Sequence, residues 1–515
     1  MNMSLLSGLR VAASDAVALI DATRPLETPV VLSHGDLDAA ASSLAAILHG
    51  YGLKRGDRVA VILPNGIDFA LLYMACLYAG LVIVPLNPSL PVNTLSYLLD
   101  VARPTMLICD ATNRRRLGDL HLLAWLIEQP TELLTAARAG GGVAAPANED
   151  PDALFSITFT SGTTSRPKGV CHRAGAMLAN VIAFNELTCL DQHARMLHVM
   201  PMSYMAGFLN TLLSPLIAGA CSILTPPFNA AAALHFWVPA MTHGANAAWL
   251  SPTMAAFVAR VARDPATSRW AREHMRWVFA GTAPLPPATK AAFEAIFGIE
   301  LLESYGMTEV MLVSGNTARF ARKAMSVGRL LPGLAVEARD NAGATLPVGV
   351  EGELWIQSPY ALAGYLETDS YPPVPDLANG WLATGDVGRI DVDRDLFITG
   401  RLKDMIIHGG TNVSPRAIED VLLTCPGIRD AAVIGLPHAF WGEEVSAVLL
   451  LEENAVFEAV RAEALALCKK NLPNDALPSR FVVERDFPRT STGKVQKSQM
   501  RQSLLASQQQ PGRRP

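Results

Sequence analysis

"FALLYMACLYAGLVIVPL", residues Phe69 to Leu86, is the longest apolar stretch in the chain. Its length raises a membrane span. Gly80 and Pro85 divide it instead into an apolar helical part and a short run rich in β-branched residues. That division reads as a helix leading into a buried strand, the unit from which α/β sheets are built. The flanking segments repeat the theme. "HGDLDAAASSLAAILHGYG" (34–52) has apolar positions at helical spacing and closes on glycine, while "DRVAVILP" (57–64) and "TMLICD" (105–110) read as buried strands. The fold class is α/β, with helices covering sheets.

Of the 515 residues, 50% are hydrophobic, enough for a large core in more than one domain. A net charge of -5 without a long basic block gives no electrostatic footprint for nucleic acid or for an acidic surface. The 7 cysteines form no C-x-x-C pair, which argues against zinc ribbons and disulfide scaffolds and fits a reduced, cytoplasmic setting. The first twenty residues, interrupted by Arg10 and Asp15, do not read as a signal peptide. "AARAGGGVAAPANEDPD" (136–152) reads as a linker or flexible loop. From about 350 the chain turns to β-ribbon. After Gly400 it changes again: Ser414 is placed to cap a helix with Pro415 at its first position, followed by a strand at 431–437 and a helix at 457–472. This divides the chain into a large domain at 1–400, a small α+β domain at 401–505 and a disordered tail at 506–515.

Chemistry concentrates in a few loops. "TFTSGTTSRPKGV" (158–170) packs hydroxyls, glycines and Lys168 together, a composition suited to a compact anion such as phosphate. It is not a Walker A loop, because Lys168 precedes the second glycine, and as bare composition it is equally a solvated turn. "LLESYGMTE" (301–309) offers an aromatic ring for a base at Tyr305, close approach at Gly306 and a carboxylate for a hard cation at Glu309. "WLATGDVGRI" (381–390) holds Asp386 between glycines, where it can take ribose hydroxyls or merely bond its own turn. Arg401, Lys403 and Lys494 complete the set; alone, each charged loop is more often solvated surface than catalyst.

Together and in this order the segments resemble the adenylate-forming superfamily of acyl-CoA synthetases, nonribosomal-peptide adenylation domains and beetle luciferases. The resemblance rests on Thr160–Gly169, "YGMTE" at 305–309, "TGD" at 384–386, "GRLKD" at 400–404 and "TSTGK" at 490–494. It implies a large N-terminal domain with a β-ribbon or barrel portion, a small mobile C-terminal domain and a site between them. It implies ATP, Mg²⁺ and CoA, or another phosphopantetheine thiol, as cofactors. By the same resemblance Thr160, Ser161, Gly162, Thr163, Thr164 and Lys168 wrap the triphosphate, Tyr305 with the Gly281 region frames the adenine, and Gly306 and Met307 belong to the same cofactor-binding set. Thr308 contacts the α-phosphate, Glu309 holds Mg²⁺, Asp386 and Arg401 hold the ribose, and Lys494 bridges carboxylate and phosphate. Lys403 stands at the hinge, and Gly409 with Gly410 lines the pantetheine tunnel.

The acid is read from "MPMSYMAGF" (200–208). Tyr204 stands where many relatives have histidine, and no aspartate stands near Met205 to pair an ammonium, which disfavours an α-amino acid. Met202, Tyr204, Met205, Phe208, Trp249 and Leu250 suggest an apolar pocket for a fatty or aromatic acid, although such residues are as often plain core. Ser165 replaces a glycine of the family's loop. The leading expectation is an acyl-CoA synthetase without an integral membrane segment. The alternatives are a ligase that loads an acyl carrier protein, a non-catalytic nucleotide binder on the same fold, and, remotely, a luciferase-like oxygenase.

Overall fold

The computed structural model describes residues 14–24, 28–118, 123–140, 150–160, 167–366, 377–490 and 493–508. The opening stretch divides as its composition dictates. Ile67–Ala79 is a helix in which all of its residues are buried, and it stops at Gly80, whose φ of 67° is the left-handed conformation that glycine adopts without strain. Val82–Pro85 follows as a fully buried strand. A helix apolar all round is what a core between two sheets requires. Among the described residues no helix is long and apolar enough to cross a membrane.

Three sheets organise the chain. One, seven strands wide, has Arg58–Ile62, Val82–Pro85 and Met106–Asp110 near its middle and runs to Gly169–Arg173 and Gly364–Leu366 at one edge. Its antiparallel pair Leu154–Phe159 and Gly169–Arg173 brackets the Ser/Thr-rich loop, whose Ser161, Gly162, Thr163, Thr164 and Ser165 lie outside the described residues. A second sheet of thirteen strands changes character at Leu301–Met307. On one side this strand pairs parallel with Trp277–Ala280, and on the other it pairs antiparallel with Met311–Gly315. Ligands favour the strand ends at such a change of topology. The β-ribbon expected from about 350 is the antiparallel flank of this sheet, Gly352–Gln357, Leu382–Ile390 and Asp395–Arg401.

The third sheet has five strands, all between Ile406 and Val483, and Lys497–Gln508 packs over it as a helix. The hydrophobic clusters respect the same division: two contain only residues up to Ile398, and two only residues from Ile406 onward. A 3-10 turn, Leu402–Asp404, joins these two bodies. The final helix extends past 505 to Gln508, and the rest of the expected tail lies outside the described residues. The expected linker at 136–152 begins inside the helix Glu132–Ala139, and 141–149 lie outside the described residues. Ser414 corrects an expectation. It precedes the helix Pro415–Leu422, but its hydroxyl donates to the Thr399 carbonyl at 2.8 Å and makes no cap. Tying the helix to the last strand of the large body wins over closing a helix end.

Candidate active site

A cleft of about 2070 Å³ runs between the two bodies, more than a single small ligand fills. Asp386, on the strand Leu382–Ile390, is its pivot and is only 2% exposed. Tyr305 donates its hydroxyl to Asp386 Oδ2 at 2.6 Å, and Arg401 Nε meets Oδ1 at 2.8 Å. Arg401 can do this because Asp386 and Arg401 pair directly across adjacent antiparallel strands. The Thr384 hydroxyl receives the Asp386 amide and donates to the Leu354 carbonyl, closing the turn beneath the carboxylate. Burial first, and then the neighbouring Asp386 charge, push the Tyr305 hydroxyl well above its ordinary pKa, so it stays a donor.

Lys494 reaches the same cleft from the small body. Burial, then the charges of Arg401 and Lys403, lower its pKa to about 8. Arg401, Lys403 and Lys494 face Asp386 and Asp404, three positive groups against two negative, and the net positive charge suits an anion. Lys403 sits on the exposed 3-10 turn and also lines the cleft.

The strand Leu301–Met307 and the residues after it are anchored from the other sheet. His172 Nε2 lies 2.6 Å from the Thr308 carbonyl oxygen. A carbonyl can only accept, so Nε2 carries the proton and Nδ1 is left without a partner. Burial lowers the His172 pKa to about 4, which keeps the ring neutral. The Leu362 amide donates to the Glu309 carbonyl at 2.7 Å, and the Tyr365 hydroxyl donates to Glu309 Oε1 at 3.1 Å. Lys168 Nζ lies 4.5 Å from the centre of the Tyr365 ring, and the Thr160 amide donates to the Lys168 carbonyl at 3.0 Å. Thr160, Tyr305, Gly306, Met307, Thr308 and Glu309 all line the cleft. A cleft carboxylate linked through Tyr365 to Lys168 suits Mg²⁺, which takes one or two protein carboxylates and fills its remaining positions with phosphate and water. The aspartate group at 391, 393 and 395 is already met by Lys323, at 2.6, 2.6 and 3.1 Å.

The remaining expected positions separate. Tyr204 lines the cleft, whereas Met205, Phe208 and Trp249 are buried and do not. Phe208 stacks on Tyr73 at 3.8 Å, and Trp249 packs against Phe279 at 4.8 Å. Gly281 lies under the cleft wall, where an added Cβ would come 2.7 Å from Ser304 Oγ. Gly409 and Gly410, with φ of 58° and 87°, form the exposed turn between Ile406–His408 and Thr411–Val413 and do not line this cleft. Three neighbours escaped the sequence reading: His172, Tyr365 and Thr253, whose hydroxyl meets the Gly493 carbonyl. Each acts through a partner more than fifty residues away, and no local spacing signals that.

Comparison with known proteins gives the same outline. A sulfoacetate–CoA ligase of Cupriavidus necator is 32% identical over 90% of this chain and 91% of its own length. The long-chain-fatty-acid–CoA ligase FadD13 of Mycobacterium tuberculosis is 30% identical over 93% of this chain and 94% of its own. The crystal structure of ATP-bound MatB from Rhodopseudomonas palustris superposes with a TM-score of 0.86 at 29% identity, covering 98% of this chain and 99% of that one. The family description "AMP-binding enzyme" matches residues 10–366, and "AMP-binding enzyme C-terminal domain" matches 417–494. With both halves of the pattern on one chain and a cleft between them, the protein belongs to the AMP-binding enzyme family, the adenylate-forming superfamily.

Proposed function

We propose that the protein is an AMP-forming acyl-CoA ligase: it joins a carboxylic acid to the α-phosphate of ATP, releases pyrophosphate, and passes the acyl group to the CoA thiol. The observation that carries this reading is Lys494, held in the cleft beside Arg401 and the Tyr305–Asp386 pair. The relatives support it, being CoA ligases for acids as different as sulfoacetate, oxalate and long-chain fatty acids.

A carboxylate is already ionised near neutral pH, so the first step needs no general base. Its difficulty is repulsion between anions, about 4 kcal/mol for unit charges at 4 Å even at an effective dielectric of 20. Lys494 and Arg401 offset that repulsion. A carboxylate oxygen attacks the α-phosphorus, and the bond to the bridging oxygen breaks toward pyrophosphate. Asp386 receives the ribose hydroxyls, Tyr305 and the Gly281 backbone frame the base, and Thr160, the adjoining hydroxyls and Lys168 wrap the phosphates. Glu309, with Tyr365 orienting it, would hold a Mg²⁺, which when bound would neutralise phosphate charge. Turning of the small body about Lys403 then withdraws Lys494 and admits the thiol, with Gly409 and Gly410 leaving room for the pantetheine chain. The thiol attacks the acyl carbon, and AMP departs.

Tyr204 and Met205 supply no carboxylate for an ammonium, which argues against an α-amino acid, and among the remaining acids a fatty or aromatic one is the class we propose. An acid-dependent ATP–pyrophosphate exchange screen across short, medium, long and aromatic acids tests the activity, and CoA against a loaded carrier protein tests the thiol. Silence with every acid rejects the proposal. Lys494→Ala is expected to slow exchange by roughly 10²- to 10³-fold while still converting preformed acyl-adenylate to thioester. Equal losses in both half-reactions would refute the two-posture account.

A further inference from the structure

We infer that the helix Pro252–Val261 is the seat on which the small body docks when Lys494 enters the cleft, and that Thr253 is the positioning residue fixing the loop that carries Lys494. The inference rests on the reading of Lys494 above and adds to it a residue of the large body.

The Thr253 hydroxyl donates to the Gly493 carbonyl at 3.2 Å, and Arg489 Nη1 donates to the same oxygen at 2.9 Å. One carbonyl thus receives a donor from each body. Gly493 has a φ of +86°, and a Cβ added there would lie 3.0 Å from Thr253 Cβ and Oγ1. The loop backbone therefore lies directly on Thr253, with no space for a side chain between them. Next in the chain, the Lys494 amide donates to Thr490 Oγ1 at 3.1 Å, and the Thr490 amide donates to the Lys494 carbonyl at 2.9 Å. A turn closed in this way transmits the placement of Gly493 to its neighbour Lys494.

The helix offers more than one contact. Thr253, Ala256, Phe257 and Arg260 follow the spacing that puts side chains on one helical face, and all line the cleft. Arg260 Nη2 meets Glu452 of the small body at 3.4 Å. Met254, Ala255 and Val258 turn into the core instead. The seat is therefore built on a rigid element, and Ser251 caps its start by accepting from the Met254 amide at 3.2 Å.

The test compares the full-length protein with Thr253→Val, which keeps the branched shape and loses the hydroxyl. Each is assayed for ATP–pyrophosphate exchange and, separately, for thioester formation from preformed acyl-adenylate and CoA. The probe acid is octanoate or benzoate, chosen by the exchange it supports in the unmodified chain. Loss of one neutral hydrogen bond is expected to lower the exchange kcat by about fivefold to tenfold, with KM for ATP and the thioester half-reaction held within about twofold. Thr253→Ser is expected to restore exchange. A general structural role would depress both half-reactions together, and that result, or unchanged exchange, overturns the inference. Should Thr253→Val fail to fold, Gly493→Ala reads the same split from the loop side. If Lys494→Ala abolishes exchange while Thr253→Val does not, this inference alone falls; if Lys494→Ala exchanges normally, or the unmodified chain shows no exchange, the reading it rests on falls with it.

Discussion

An amine keeps its proton only while its surroundings tolerate the charge. Lys494, lowered to about 8 chiefly by burial and then by Arg401 and Lys403, is charged in the free protein below that pH and neutral above it. Phosphate and carboxylate need the charged form. The kcat/KM of adenylation is therefore expected to fall as pH rises past about 8. The limb in kcat lies higher, since bound anions raise the lysine's pKa again. Lys494→Arg, whose guanidinium does not titrate in this range, is expected to abolish the limb in whatever activity remains; an unchanged limb would assign it to another group. Asp386 is one of the groups holding the Lys494 pKa up. Asp386→Asn is accordingly expected to move the limb to lower pH and, by weakening charged hydrogen bonds, to raise KM for ATP by about 10- to 100-fold. Steady-state pH profiles of both variants check these expectations.

At the scale of single elements, the segment after Tyr204 shows how tightly backbone geometry is set. Ala206–Leu213 is a π-helix, wider than an α-helix, and Gly207 is in its first turn. A Cβ there would fall 1.9 Å from the Pro201 carbonyl oxygen. Gly207→Ala is expected to cost about 3 kcal/mol or more, read as a lowered thermal or urea midpoint, and to displace Tyr204 from the cleft wall. Such elements also show which parts of the fold local pattern announces. The helix at 67–79, its glycine stop and the strand after it follow from local pattern alone. Pairing between Gly364–Leu366 and Gly169–Arg173 joins strands far apart in sequence. Tyr365, which that pairing delivers to Glu309 and Lys168, was invisible for that reason. Met205, Phe208 and Trp249 are buried away from the cleft lining, a distinction that sequence does not carry because an apolar side chain bears no mark of whether it faces a ligand or its own core. Ser414 misled because a hydroxyl before a helix serves equally well as a bridge to another strand.

At the scale of the whole molecule, the ion pair between the bodies at the edge of the seat is open to solvent. Arg260 and Glu452 have side chains 49% and 47% exposed, so their pair is worth no more than about 1 kcal/mol and is screened by salt. Glu452→Gln is expected to change the adenylation rate by less than about fivefold, and the difference should vanish at high ionic strength. A weak seat suits a protein whose second step requires the small body to leave it. The chain also passes from one hydrophobic core to the other through the single 3-10 turn Leu402–Asp404. That turn is a tether, and its contribution is an effective concentration. Nicked there, the protein becomes two fragments, and adenylation by the larger one should climb and then saturate as the smaller is titrated in. Nucleotide binding by the larger fragment, which keeps Tyr305, Asp386 and Arg401, should survive the nick.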